Sequence, residues 1–125
     1  MVIGFVIIRT KPDRRDDVLR EYQAVVPMVL EERGCIDYGA VVDEYFGPPQ
    51  SLLGDDAFAI IEKWETKQHF ESHAVSEHMK TCRAKVAELV VDRTFHLLSL
   101  TCVRTAVRRD NTLFCEKDHE DCYSG

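Results

Sequence analysis

The segment Ala57-Phe58-Ala59-Ile60-Ile61-Glu62-Lys63-Trp64-Glu65-Thr66-Lys67-Gln68-His69-Phe70-Glu71-Ser72-His73 changes period half-way along. Up to Trp64 it alternates: Phe58, Ile60, Glu62 and Trp64 share one face, and Ala57, Ala59, Ile61 and Lys63 share the other, as in a β-strand. Thr66 is suited to cap a helix, and the charged stretch beyond it carries His69 and His73 four residues apart, on one helical face. The only tryptophan of the chain therefore stands at a strand-to-helix corner with two titratable imidazoles just past it.

Upstream, residues 2–9 are β-branched and aromatic and run into Lys11-Pro12-Asp13, a strand followed by a turn, with Pro12 or Asp13 opening a helix. Val18, Tyr22, Val25 and Val29 then recur at helical spacing, and Leu19, Val26 and Leu30 widen the stripe. Pro27 falls inside this helix and should kink it, and Gly34 sits where a left-handed residue closes it. Residues 35–43 alternate again, with Ile36, Tyr38, Ala40 and Val42 on one face, and residues 46–56 form a loop. Downstream the helical stretch breaks near Ala74 to Glu77 and resumes to about Val91 on a stripe of Met79, Cys82, Val86, Leu89 and Val90. Phe95 to Val103 reads as a fourth strand. The order βαββαβ predicts an α+β, ferredoxin-like sandwich with helices on one face of a four-stranded antiparallel sheet, over residues 1–107, followed by a tail over 108–125.

Composition narrows the partners. At 125 residues the chain can build one core, and a net charge of −6 gives no basic surface for nucleic acid or an anionic membrane. The apolar run Val2 to Ile8 lacks a basic leader and a cleavage site and is too short to span a bilayer. Five irregularly spaced cysteines without an export signal suit reduced, mostly buried thiols in the cytoplasm. Strand one is apolar on both faces while the helices cover only one, so a second subunit packing sheet against sheet, a homodimer, is expected.

These motifs resemble the antibiotic biosynthesis monooxygenase (ABM) family of dimeric α/β barrels. The likeness rests on Pro27 followed by Glu32-Arg33-Gly34-Cys35-Ile36-Asp37-Tyr38, on Glu62-Lys63-Trp64-Glu65, and on His73 with Ser76 and His78, and covers roughly residues 2–105. It implies a ligand cleft between sheet and helices. It also implies a place among oxygenases of anthrones and quinols that use neither metal nor flavin, haem-degrading enzymes, isomerases or members of other roles. The haem branch has a tryptophan where this chain has His73, a histidine where it has Arg83 and an asparagine in strand one, where residues 2–9 have none.

Cofactor-independent oxygenation needs a general base and a dry cavity for a small aromatic or quinonoid substrate. His73 is the candidate base and His78 a relay one turn on. Trp64 and Phe70 offer flat walls, and the indole N–H or the Tyr38 hydroxyl a donor to a carbonyl oxygen. The plainer readings are Trp64 as core, His73 bonded to the corner backbone and His78 on the surface. A non-catalytic dimer that binds a small ligand, or an isomerase, is the alternative function. Glu62 shares the face of Phe58 and Trp64, so its carboxylate must be paired or protonated: an arginine or lysine in a structural ion pair is expected, with a substrate-binding acid facing the cleft as the alternative. His69 and His73 have metal-chelating spacing but no clear third ligand, and Cys115, His119 and Cys122 in the tail are zinc-capable types without a fourth; no metal is expected. Leu113 and Phe114 would anchor an otherwise mobile tail.

Overall fold

The computed structural model describes residues 1–101. In it β1 (Val2–Thr10), α1 (Arg15–Leu30), β2 (Cys35–Val41), β3 (Ala57–Trp64), α2 (Lys67–Ala74), α3 (Glu77–Val86) and β4 (Val90–Ser99) follow one another along the chain. The strands form one antiparallel sheet in the order β2-β3-β1-β4. This is the ferredoxin-like arrangement expected from the βαββαβ pattern. The fourth strand, expected over Phe95 to Val103, runs Val90–Ser99 and ends before the described residues do; the proposed division at residue 107 and the tail's cysteines, histidine and anchors lie outside the described residues.

The core lies between the sheet and the helices. Phe58, Ile60 and Trp64 of β3 and Ile8 of β1 meet Val18, Tyr22, Val25 and Val29 of α1 and Met79, Cys82 and Val86 of α3. Phe58, Trp64, Val18 and Val29 are fully buried, each contributing about 1.5–3 kcal/mol of transfer free energy. The helix continues through the exposed Pro27 to Leu30.

Several boundaries differ from the sequence reading. Asp13 has φ 65°, so α1 opens at Arg15, after a turn in which the Arg14 N–H donates to the Lys11 carbonyl. In β2 a bulge between Cys35 and Asp37 turns Ile36 out to solvent while Tyr38 and Ala40 keep the inner face opposite Glu62 and Ile60; the strand ends at Val41, before Val42. The last helix ends at Val86 and β4 begins at Val90, because Lys11 N–H bonds the Leu89 carbonyl and Val90 pairs with Thr10, drawing into the sheet residues whose helical spacing had placed them on α3.

Two turns are locked to each other beneath the sheet's end. Gly34 follows α1 with φ +82°, and its carbonyl accepts the N–H of Glu65 at 2.8 Å. Thr66 caps α2 by accepting the N–H of His69, whose ring lies against Gly34. A β-carbon on Gly34 would sit 2.2 Å from the His69 ring. Gly34→Ala is therefore expected to lower the unfolding free energy in urea by more than the ~1–2 kcal/mol that a left-handed residue alone costs, because His69 must also move. An unchanged urea midpoint would show that the two turns are not locked.

Candidate active site

The corner and the turn bring together side chains far apart in the chain. His73 lies on the inward face of α2 and is 4% exposed. Its Nδ1 is 2.9 Å from Glu32 Oε2, and its Nε2 is 3.5 Å from Glu62 Oε1. The same Glu32 oxygen lies 2.8 Å from His78 Nε2, so one carboxylate accepts from both imidazoles. Ser76, between the two helices, donates its hydroxyl to the His73 carbonyl and lies 3.3 Å from His78 Nε2. Glu62, His73, Glu32 and His78 thus form a continuous polar chain from the inside of the sandwich to its flank.

Glu62 does not pair with an arginine or lysine, as the sequence reading expected. It accepts the indole N–H of Trp64 at 2.8 Å and faces His73. Burial pushes its carboxyl above the ordinary carboxylate range, against the opposing pull of the Trp64 bond and the nearby imidazole. Gly4, directly across the ladder, makes room for it, since a β-carbon there would come within 2.7 Å of Glu62 Cγ.

A cavity of about 290 Å³ opens beside this array. Glu62, His73, Tyr38 and Phe70 line it, with Val6, Ile8 and Ile60 as its apolar floor. Phe70 stacks on Phe95 of β4 with centroids 5.5 Å apart, making one flat wall, and Tyr38 meets the His73 ring edge-on. Burial pushes the Tyr38 phenol up, so its hydroxyl stays a donor at neutral pH. Trp64 is not a wall. It is fully buried, its ring 4.6 Å from that of His73, and it backs the imidazole without reaching the cavity. His78 also lies off the cavity, held through Glu32.

His69, whose spacing from His73 suits chelation, turns instead to Thr66, with Nδ1 2.8 Å from Oγ1. Among the described residues, Glu32, His73 and His78 could hold a divalent metal, their ligand atoms lying within 4.8 Å of one another. Glu32 was missed as a site residue. It stands inside the quoted Glu32 to Tyr38 motif, but no period ties it to a histidine 41 positions on. Among the described residues the two thiols are poor nucleophiles: burial raises Cys35 to about 11, and Cys82 is also raised by burial.

With this geometry in place, comparison with known proteins is decisive. A family model described as antibiotic biosynthesis monooxygenase matches residues 1–85. The chain belongs to that family. A protein of Escherichia coli K12 named "Probable quinol monooxygenase YgiN" is 34% identical over 93 residues, covering 73% of this chain and 89% of that protein. Among solved structures, PA3566 from Pseudomonas aeruginosa superposes with a TM-score of 0.67 at 21% identity, over 79% of this chain and 92% of its own. Rv0793 from Mycobacterium tuberculosis gives 0.63 at 20% identity, over 79% and 93%. These two carry the fold alone. Among the described residues no helix is long and apolar enough to cross a membrane.

The Glu62–Trp64 pair gives a two-part test of stability. Glu62→Ala strands a buried indole N–H and should cost at least about 1–3 kcal/mol, whereas Glu62→Gln keeps an acceptor. Below the ordinary value of 4.5 both folded and unfolded carboxyls are protonated. As pH rises past it the unfolded carboxyl ionises first, so the wild type loses stability until its raised folded pKa is passed. Glu62→Gln should lack that loss, gaining on the wild type in urea midpoints as pH rises from about 4.5 toward the raised folded pKa. A constant difference across that range would contradict this assignment.

Proposed function

We propose that the chain is a monooxygenase that oxygenates a small electron-rich ring, a quinol or anthrone, in the cavity between the sheet and α2 and α3, with electrons drawn from the substrate itself. The observation that carries this reading is an imidazole at an apolar cavity with a carboxylate behind it. A neutral His73 that donates Nδ1–H to Glu32 turns its Nε2 lone pair to the cavity side, where Glu62 and a substrate hydroxyl compete for it. The name of the Escherichia coli relative supports a quinol.

Removal of a proton from the ring hydroxyl by His73 yields a quinolate, which passes one electron to dioxygen. Superoxide and the ring radical then combine to form a C–O bond. Cleavage of the O–O bond with loss of water leaves one oxygen atom on the ring. Phe70 supplies the flat wall and Tyr38 donates to the developing carbonyl oxygen. Glu62 shares the abstracted proton with His73, and Glu32 and His78 carry it on toward the flank.

Oxygen consumption with a panel of hydroquinones and anthrones tests the reading. His73→Ala should lower kcat by about 10²–10⁴-fold, the range of a lost general base, and Glu32→Gln should lower it less. Saturable binding of these compounds without oxygen uptake would replace the enzyme by a ligand-binding protein, and their interconversion without oxygen uptake by an isomerase.

We further propose a homodimer in the cytoplasm, formed sheet against sheet. Ile3, Phe5 and Ile7 of β1, Ile61 of β3 and Leu98 of β4 share the face away from the helices, where no described element covers them. Light scattering at micromolar concentration should give the mass of two chains, and Ile7→Lys, in mid-face, should reduce it to one. A single-chain mass for the wild type would overturn the dimer.

A further inference from the structure

Two arginines line the cavity besides its carboxylate and imidazole. Arg83 of α3 and Arg93 of β4 line it together with Phe70 and Phe95. Both guanidinium groups are tethered to neutral acceptors: Arg83 Nη2 donates to the Ala74 carbonyl at 2.7 Å and Arg93 Nη2 to the Tyr22 hydroxyl at 3.2 Å. Neither lies within salt-bridge distance of a carboxylate among the described residues, whereas Arg9, Arg14, Arg15 and Arg20 each have an aspartate. In a chain with a net charge of −6, two arginines without an acid beside one apolar cavity form a local reversal of sign. Among the described residues each makes no other side-chain hydrogen bond, which leaves donors of the planar fork for a carboxylate.

The strand register sets Arg93 away from the base, while Arg83 reaches the cavity from the helix side beside Ala74, the residue after His73. Glu62 pairs with Gly4, while Arg93 pairs with Ile8, four residues along β1, and β1 separates β3 from β4. Two strand spacings are about 9–10 Å. A ligand lying across the cavity from β3 to β4 has a proton to lose near His73, a flat ring against Phe70 and Phe95, and an anion at Arg93 with Arg83 on the helix side of the same cavity. We infer that the cavity selects ring compounds bearing a carboxylate remote from the reacting hydroxyl, with Arg83 and Arg93 as the residues that set this preference. The identity of the ring as the reacting group rests on the proposed oxygenase function; the charge preference does not.

Binding of 2-naphthoate and its uncharged methyl ester, followed calorimetrically with the full chain, tests this without any turnover. The acid should bind at least about tenfold more tightly than the ester, as a charge-assisted hydrogen bond implies, and more weakly as salt is raised. In Arg83→Gln/Arg93→Gln the two ligands should bind alike, at the ester's wild-type affinity, and Arg83→Lys/Arg93→Lys should restore part of the preference. Equal binding of acid and ester to the wild type, binding of neither, or a preference that survives the double glutamine variant would overturn the inference. Oxygen uptake separates it from the oxygenase reading. A neutral quinol oxygenated as efficiently as its carboxylated analogue would sink the charge preference and leave the oxygenase standing, and tight acid binding with no oxygen uptake from any quinol would do the reverse.

Discussion

A buried imidazole clasped between two carboxylates is the constraint around which the molecule is arranged. His73 and Glu62 are almost wholly removed from water and Glu32 mostly so. Polar groups in such a place persist only if each finds a partner. Trp64 serves Glu62, Glu62 and Glu32 serve His73, and Glu32 also serves His78. Holding that set requires the turn after α1 and the corner after β3 to meet, which explains Gly34 under the His69 ring, the Gly34–Glu65 bond and the absence of a side chain at Gly4. The glycines and the cap are thus consequences of one polar cluster.

The same cluster divides the domain's labour between its two sheet faces. On the inner face it turns what would be solid core into a core with a functional edge, where apolar strand residues stop and a cavity begins. Family membership agrees with this division, since the matched region, residues 1–85, holds Glu32, Glu62, His73 and His78 together. The outer face carries an apolar band, Ile3, Phe5 and Ile7 of β1 with Ile61 and Leu98 beside them, bordered by Arg9, Lys63 and His96. The proposed dimer and the proposed chemistry use opposite faces of the same strand.

Much of this was legible in the sequence. The alternation from Ala57 to Trp64 and the cap at Thr66 are local features, written in neighbouring residues, and the structure has them as read; Gly34 is left-handed as read but stands four residues past the end of α1, which Glu31 caps. Glu62 was recognisable as a carboxylate facing the core, but its partner was not, because an indole two residues away on the same strand face meets the need that a cation was expected to meet. Tertiary pairing also decided where α3 gives way to β4: Leu89 and Val90 fit a helical stripe, but the edge of β1 had hydrogen bonds to make with them. The bulge that expels Ile36 and the approach of Glu32 to His73 depend on contacts between segments, which no periodicity records.

The most direct measurement is a crystal structure of the protein with 2-naphthol, a ring with one ionisable hydroxyl. The account places the ring against Phe70, with its oxygen within about 3 Å of His73 Nε2 or the Glu62 carboxyl and the imidazole still bonded to Glu32. A cavity closed by side chains, or a His73 ring turned away from Glu32 with the naphthol bound elsewhere, would contradict it.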